Sequence, residues 1–199
     1  MSILEKEPVK RVDKFLKKYD ANLNVTLLNS SARTALEAAK SLNCEVGAIV
    51  KSLLFRAENT FILCLVAGDK KGSLNKIKKV TNIKNVVMAS ADEVKDITGF
   101  TIGGVSPIGH LKKINIYIDN SLERFDSLYA AAGHPNCVFK IDYLNLQKIT
   151  QIIEMLSLYI FYRNASRIGF STRIAPFIIR ESTKKIVFDK NSEKNYIFR

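Results

Sequence analysis

The segment IVKSLLFRAENTFILCLVA, residues 49–67, decides the fold because its pattern predicts two β-strands joined by a short turn. Residues 49–55 form the first predicted strand, in which Lys51 shares a row with apolar side chains at every second position. Residues 61–67 are apolar on both faces, which is typical of a buried strand. Residues 57–59 predict the turn through which the two strands pair.

Helical patterns lie on both sides of this hairpin. Residues 8–19 place their apolar side chains on one stripe and their lysines elsewhere, which predicts an amphipathic helix. Thr34 with Glu37, and Ser90 with Glu93, each match a capping box and predict helix starts. The hairpin is thus flanked by predicted helices before and after it in the chain.

A lysine-rich helix is expected after the turn at residues 68–72, with Leu74 and Ile77 facing inward. Gly99 is expected to end the helix that begins near Ser90, and Asp142 to cap a helix that carries Leu144 and extends past residue 149. Further strands are predicted at residues 25–28, 86–88, 114–119 and 138–141. Strands interleaved with helices, with both hairpin and helical links, predict an α+β fold with a mixed sheet.

The composition is that of an ordinary globular domain: 199 residues, of which 47% are hydrophobic and 25% charged. The longest apolar runs, at residues 61–67 and 152–162, are shorter than the about 20 residues that cross a bilayer. The first residues, MSILEKEPVK, lack the apolar stretch of a secretory signal. We therefore expect a cytoplasmic protein without a membrane partner.

Metal and disulfide sites are not predicted. The three cysteines, Cys44, Cys64 and Cys137, lie far apart in the sequence, and only His110 and His134 could share a metal with them. A zinc site needs tight local spacing of such ligands, and a disulfide framework usually has an even number of cysteines.

The chain is strongly basic, with a net charge of +12, and +7 of this charge falls within residues 1–150. Such a balance favours nucleic acid as a partner, whereas a solvated basic surface without a partner is the alternative. Six lysines would form one basic face suited to a phosphate backbone, although a solvated helix face is the default explanation. They are Lys70, Lys71, Lys76, Lys78, Lys79 and Lys84.

Lys51 is the first candidate site residue, because its neighbours in the strand row are apolar. A partly desolvated ammonium binds a phosphate or carbonyl oxygen more strongly than a surface ammonium, and burial lowers its pKa. The alternative is a structural lysine whose stem packs on the sheet while its charge reaches solvent. The sequence alone leaves both interpretations open.

Two loops are further candidates. The loop TIGGVSPIGH, residues 101–110, contains three glycines that allow close backbone approach, and its N–H groups could converge on an oxygen-rich ligand. It matches neither a dinucleotide fingerprint nor a P-loop, and a plain turn is the alternative. The turn at residues 133–135 offers His134 as a donor or acceptor. Ser52 and Ser106 lack a histidine and a carboxylate at recognisable spacing, so no hydrolase triad is predicted.

Six motifs, in order, resemble those of the YbaK/EbsC family of aminoacyl-tRNA deacylases, which is related to the editing insertion domain of bacterial prolyl-tRNA synthetase. The resemblance spans roughly residues 8–150. The motifs are TALEAA (34–39), IVKSLLF (49–55), VAGD (66–69), GGVSPIG (103–109), ID (118–119) and AGHP (132–135).

The resemblance implies a compact, barrel-like mixed sheet with flanking helices, formed by residues 1–150. It also implies a metal-free pocket, with no cofactor, that hydrolyses the ester of a mischarged tRNA, typically tRNA(Pro), and it makes prolyl-tRNA synthetase a candidate partner. Lys51 matches the essential lysine of the family. The substrate-binding positions implied in the same way are Thr34, Ser52, Gly103, Gly104, Val105, Ser106, Pro107, Gly109, Gly133, His134 and Pro135.

Two points stay open. Ser52 stands where some subfamilies have asparagine or threonine, so the amino acid that is removed is not predicted. Residues 151–199 have no counterpart in the compact family pattern, and we assign this C-terminal extension no function. The alternative to a deacylase is a catalytically silent module that binds tRNA or a nucleotide with the same fold.

Overall fold

The computed structural model describes residues 2–28 and 32–150. The predicted extension at residues 151–199 lies outside this part of the chain. The helices are α1 (Glu7–Tyr19), α2 (Ala35–Leu42), α3 (Leu74–Thr81), α4 (Ala91–Thr98) and α5 (Tyr143–Ile149). The strands are β1 (Val25–Leu27), β2 (Ile49–Ala57), β3 (Thr60–Ala67), β4 (Val86–Met88), β5 (Asn115–Ile118), β6 (Leu128–Ala131) and β7 (Cys137–Ile141).

One mixed sheet organises these elements, with the strand order β1-β7-β6-β2-β3-β5 and with β4 also paired to β2. β2 and β3 form the predicted hairpin, in register from Val50 with Ala67 to Ala57 with Thr60. β2 pairs with β6, and β3 with β5, in parallel, whereas the other pairs are antiparallel. The predicted mixed sheet with flanking helices is therefore confirmed.

β2 changes its partner on one side partway along its length. Ile49 and Val50 pair with β6, and Phe55–Ala57 pair with β4, while β3 continues along the other side of β2. Residues 51–54 lie between these two pairings. The sheet thus opens beside the strand segment that carries Lys51.

The two faces of the hairpin pack into different apolar clusters. The larger cluster joins residues such as Leu54 and Leu63 to Val12 and Leu16 of α1. The smaller cluster joins Phe55 and its neighbours on the other face to α3 and β4. Because successive side chains in a strand alternate between faces, both faces of the central strands are covered, which explains why residues 61–67 are apolar throughout.

The helix ends follow the predicted local chemistry. Thr34 with Glu37, and Ser90 with Glu93, form complete capping boxes at the starts of α2 and α4. Gly99 ends α4 with a φ of 75°, in the left-handed region where a glycine lacks the steric penalty of other residues. These signals were readable because each depends on contacts within one helical turn.

Two details of the helix predictions are wrong. Leu74 is not inward but 39% exposed, because it is the first residue of the two-turn helix α3, whose only buried residue is Ile77. α5 carries Leu144 as predicted, but it ends at Ile149 instead of extending past that residue. The hydroxyl of Thr150 donates to the Leu146 carbonyl (2.7 Å) and closes that last turn.

Within the described residues, no helix has the length and apolar character needed to cross a membrane.

Candidate active site

Lys51 lies on the half-buried part of β2, at the point where the sheet opens. Its Nζ donates to the carbonyl of Gly68 (3.1 Å) and to the carbonyl of Lys70. Both acceptors belong to the turn that links β3 to α3. The ammonium is therefore held by a backbone turn and is not directed into bulk solvent as a snorkelling lysine would be.

Burial and neighbouring charges have opposite effects on the pKa of the Lys51 ammonium. Burial lowers the pKa of the ammonium, whereas the carboxylates of Asp69 and Asp119 raise it. Asp69 is itself paired with Arg124, whose Nη2 lies 3.0 Å from each carboxylate oxygen. Lys51 thus has the partly desolvated character that strengthens the binding of an anionic or carbonyl oxygen.

Ser52 follows Lys51 and, by strand alternation, points to the opposite face of β2. Its register partner is Leu65, which belongs to the larger apolar cluster. The Ser52 Oγ is buried and has no hydrogen-bond partner within the described part of the chain. The hydroxyl therefore has an unused donor among the described residues, which is uncommon for a buried polar group.

The two glycine loops pack directly against each other. A Cβ atom added to Gly104 would lie 2.9 Å from both the Cα and the backbone N of His134. A Cβ on Gly103 would lie 3.4 Å from the Pro135 side chain. Gly103, Gly109 and Gly133 have φ values of 89°, 75° and 84°, which side chains with a Cβ rarely adopt. The two loops therefore meet where Gly103 and Gly104 lie against residues 133–135, and they share one surface there.

Neighbouring side chains fix the longer loop. The Nε2 of His110 lies 2.8 Å from the Ser106 carbonyl, which can only accept, so this nitrogen carries the hydrogen. Burial lowers the pKa of His110 and favours its neutral form. Arg11 of α1 donates through Nε to the Gly109 carbonyl (2.7 Å). Val105, Ser106 and Pro107 are buried within the same loop.

The shorter loop is anchored to the start of α1. A Cβ on Gly133 would lie 2.6 Å from the Pro8 carbonyl oxygen, so only glycine fits there. His134 accepts the Asn136 backbone N–H through Nδ1 (3.1 Å), and its Nε2 lies 3.4 Å from the Nζ of Lys6. Burial, followed by the positive charge of Lys6, lowers the pKa of His134. Its outer nitrogen thus faces a cation at the protein surface.

Thr34 lies at the start of α2, where its Oγ1 accepts the Glu37 backbone N–H (3.2 Å). The adjacent Ala35 packs close to Gly68, since a Cβ on that glycine would lie 3.1 Å from the Ala35 Cβ. Thr34 is therefore near the turn that holds Lys51, and its side-chain oxygen serves as a helix cap.

The structure thus brings the predicted site residues into two groups. Lys51, with the start of α2 nearby, is held by the turn after β3, and the residues of the two glycine loops contact one another. Both hydrogen bonds described for Lys51 go to that turn, and neither goes to a glycine loop. Asp119, which was named above only within the ID motif and without a site role, also acts on the Lys51 charge. It follows β5 directly, and its backbone N–H donates to the Leu65 carbonyl of β3 (2.8 Å).

Residues 29–149 match the family model described as the aminoacyl-tRNA editing domain. The chain belongs to this family. The match includes every candidate residue of the two groups. Membership in a family of aminoacyl-tRNA editing domains supports a hydrolase of the deacylase type in the broad sense.

Two relatives support the same assignment. The uncharacterized protein YwhH of Bacillus subtilis is 35% identical over 119 residues, which cover 59% of this chain and 75% of the relative. The proline–tRNA ligase of Caldicellulosiruptor saccharolyticus is 27% identical over 125 residues, or 63% of this chain, and the match spans 22% of that ligase. The editing-domain chain is thus similar to one part of a much longer synthetase.

A solved structure has the same fold. It is described as a candidate trans-editing enzyme for prolyl-tRNA synthetase, and it superimposes with a TM-score of 0.70 at 35% sequence identity. The match covers 73% of this chain and 93% of the solved one. The fold expected from the motifs is therefore confirmed by a neighbour that lacks any large additional domain.

Proposed function

We propose that the protein is a trans-acting aminoacyl-tRNA deacylase that hydrolyses the ester of mischarged tRNA, with tRNA(Pro) as its substrate. The observation that carries the proposal is the half-buried ammonium of Lys51, held by backbone carbonyls inside an editing domain. The similarity to proline–tRNA ligases and to a candidate prolyl trans-editing enzyme supports tRNA(Pro) and makes prolyl-tRNA synthetase a candidate partner.

In the proposed reaction, Lys51 binds the 3′-terminal phosphate or ribose of the tRNA. The ammonium has three donors, and the turn after β3 engages two of them. The remaining donor is available to substrate without dismantling that turn. A charge-assisted hydrogen bond from a partly desolvated ammonium is stronger than one from a solvated lysine.

The glycine loops are proposed to orient the aminoacyl carbonyl. Their backbone N–H groups can stabilise the negative charge that develops on the carbonyl oxygen. A water oxygen attacks the carbonyl carbon, the bond from that carbon to the ribose oxygen breaks, and the ribose oxygen takes up a proton as the free amino acid leaves. The 2′-hydroxyl of the terminal adenosine assists the water, so the scheme needs no metal and no protein base.

The shorter loop is proposed to screen the amino acid. His134 and Pro135 contact the longer loop and so form one wall of the same surface. A methyl group in such a pocket changes selectivity by only about 1–3 kcal/mol. Small non-cognate amino acids, such as alanine, cysteine or serine, are therefore the substrates to compare with proline.

The surface around α3 is proposed to bind the phosphate backbone of the tRNA. Residues 70–91 contain six lysines and no acidic residue. Lys70 provides one of the carbonyls that hold Lys51, and Ile77 packs α3 onto the same face of the sheet. The positive charge thus adjoins the proposed catalytic lysine, where the acceptor stem would approach.

We propose residues 1–150 as the editing unit and leave residues 151–199 without a function. The test is the deacylation rate of tRNA(Pro) charged in turn with alanine, cysteine, serine and proline. Lys51→Ala should abolish the hydrolysis of a non-cognate ester, and Lys14→Ala, a loss of one exposed lysine on α1, should not. Hydrolysis at the buffer rate by a wild-type protein that still binds the tRNA would leave only a binding module.

A further inference from the structure

Asp119 is a buried carboxylate that the proposed reaction does not use. Its side chain follows β5 and is 0% exposed. Oδ1 accepts the backbone N–H of Ser121 (3.0 Å), whereas Oδ2 has no hydrogen-bond partner within the described part of the chain. An ionised carboxylate accepts through both oxygens, and burial without a countercharge is costly. Asp119 therefore calls for a nearby cation.

The sheet register places Lys51 and Asp119 in one row. Lys51 pairs with Val66 across β2 and β3. Leu65 pairs with Ile118 across β3 and β5, and the Asp119 N–H donates to the Leu65 carbonyl (2.8 Å). Asp119 is consequently the next residue along, beside Val66. Cross-strand neighbours share a face, so Lys51 and Asp119 point to the same side of the sheet, two strands apart.

The direction of the lysine side chain fits this register. Its acceptors, the Gly68 and Lys70 carbonyls, follow the end of β3, so the ammonium reaches from β2 to the end of the strand that lies between β2 and β5. Asp119 stands directly after β5. The unpartnered oxygen of the carboxylate thus lies on the same face of the sheet as the ammonium and can act on it through its charge, while the third donor of the ammonium stays available to substrate.

The second carboxylate near Lys51 is already engaged. Both oxygens of Asp69 lie 3.0 Å from the Arg124 guanidinium, and the Asp69 side chain is partly exposed. Solvent and the guanidinium both weaken its pull on Lys51. Asp69 makes the larger electrostatic contribution to the pKa of Lys51, but Asp119 is the carboxylate that is buried and keeps an oxygen without a partner in the described part of the chain.

We infer that Asp119 is a positioning residue for Lys51, whose ammonium its buried carboxylate holds charged and directed along this face of the sheet. The catalytic consequence rests on the proposed function, but the pairing itself does not. Lys76, Arg124 and Tyr143 are the other groups that interact electrostatically with Asp119. Burial raises the pKa of Asp119, and the hydrogen bonds from Ser121 and the charges of Lys76 and Arg124 oppose that rise.

The pairing is tested on the full chain without tRNA. Only a neutral amine reacts with acetic anhydride, so the pH dependence of Lys51 labelling, read by peptide mass spectrometry, gives its titration midpoint. Asp119→Asn keeps an acceptor for Ser121 but removes the charge. We expect a midpoint at lower pH and labelling at pH 8 that is about threefold faster or more. Asp96→Asn, the same change on an exposed helix position, should not move the midpoint.

An unchanged midpoint in folded Asp119→Asn would overturn the inference, because a merely structural aspartate would lower the melting temperature without moving the midpoint. Coupling is reciprocal, so a second variant tests it from the other side. In Lys51→Met, the Asp119 carboxyl should titrate at higher pH by carbon NMR, and an unchanged titration would contradict the pairing even if Asp119→Asn fails to fold.

The Asp119→Asn variant also distinguishes a failure of this inference from a failure of the proposed function. If wild type hydrolyses the ester, the alkaline decline of its kcat/KM should move to lower pH in Asp119→Asn, following the labelling midpoint. A decline that stays in place would refute the positioning role. If wild type hydrolyses no ester, the proposed function fails, and the labelling still decides whether Asp119 pairs with Lys51.

Discussion

The contact between the two glycine loops predicts that Gly104→Ala weakens both stability and editing. The added Cβ would lie 2.9 Å from the His134 backbone, closer than such atoms normally approach. Both contacted atoms belong to the main chain, so a rotamer change cannot relieve the clash. The loops must separate by several tenths of an ångström, and such overpacking costs about 1–3 kcal/mol.

Gly104→Ala also has a smaller stabilising effect, which must be subtracted from this loss of unfolding free energy. Gly→Ala restricts the unfolded chain and stabilises by about 0.4–1 kcal/mol where the backbone allows it. The net loss expected for Gly104→Ala is therefore about 1–2 kcal/mol, or a melting temperature lower by roughly 2–8 °C for a chain of this size. Gly72→Ala is the matched control for stability, because its new Cβ would meet side chains and no backbone atom, with Leu53 at 3.0 Å and Phe55 at 3.3 Å.

The editing rate should fall at temperatures where the loss of stability still leaves Gly104→Ala folded. A displacement of about 1 Å in a positioning loop can reduce a rate by about 100-fold. We expect kcat/KM for the preferred mischarged tRNA to fall by roughly tenfold to 100-fold at a temperature where Gly104→Ala remains folded. A variant with the melting temperature and the kcat/KM of wild type would refute both the loop contact and the proposed role of this surface.

Three further predictions follow from the anchors of the site. Arg11→Lys should lose about 1–3 kcal/mol of unfolding free energy, measured by urea titration, because lysine cannot replace the guanidinium that donates to Gly109 and Gly99. The pKa of His110 is lowered in the folded protein, so its neutral form stabilises the fold above the ordinary pKa of 6.5, and this stabilisation is lost as the pH falls below that value. The melting temperature of wild type should therefore fall with pH in this range, and that of His110→Asn should fall less. Removal of three lysine charges near α3 should make tRNA binding less dependent on salt. In filter binding, the slope of log K against log salt concentration should become shallower by up to roughly one unit for each phosphate that is no longer neutralised. Removal of three lysine charges on α1 should leave this slope closer to that of wild type. The two triple variants are Lys71, Lys78 and Lys84 to alanine, and Lys14, Lys17 and Lys18 to alanine.

Local signals carried most of the predicted fold. The β2–β3 hairpin and the capping box at Thr34 were readable because their partners are close in sequence. Leu74 was misjudged because helical spacing alone does not reveal that a short helix buries a single side chain, Ile77. Local sequence patterns thus predicted the positions of the helices and strands better than the burial of their side chains.

The assembly of the site was beyond the sequence pattern. The contact of Gly104 with His134 joins residues 30 positions apart, and the row from Lys51 to Asp119 depends on the registers of three strands. Such registers are set by packing across the whole sheet. Sequence patterns could therefore identify Lys51 and the loops as candidates, but not the position of Asp119 in the same row as Lys51.

The central claim is that Lys51 drives the hydrolysis of a mischarged aminoacyl ester. The most direct test compares wild type with Lys51→Ala on tRNA(Pro) charged with alanine, cysteine, serine or proline, with circular dichroism to verify the fold. We expect wild type to release a non-cognate amino acid at least about 100-fold faster than the variant and to spare proline. Equal rates for folded wild type and variant, or hydrolysis of every ester at the buffer rate, would contradict the claim.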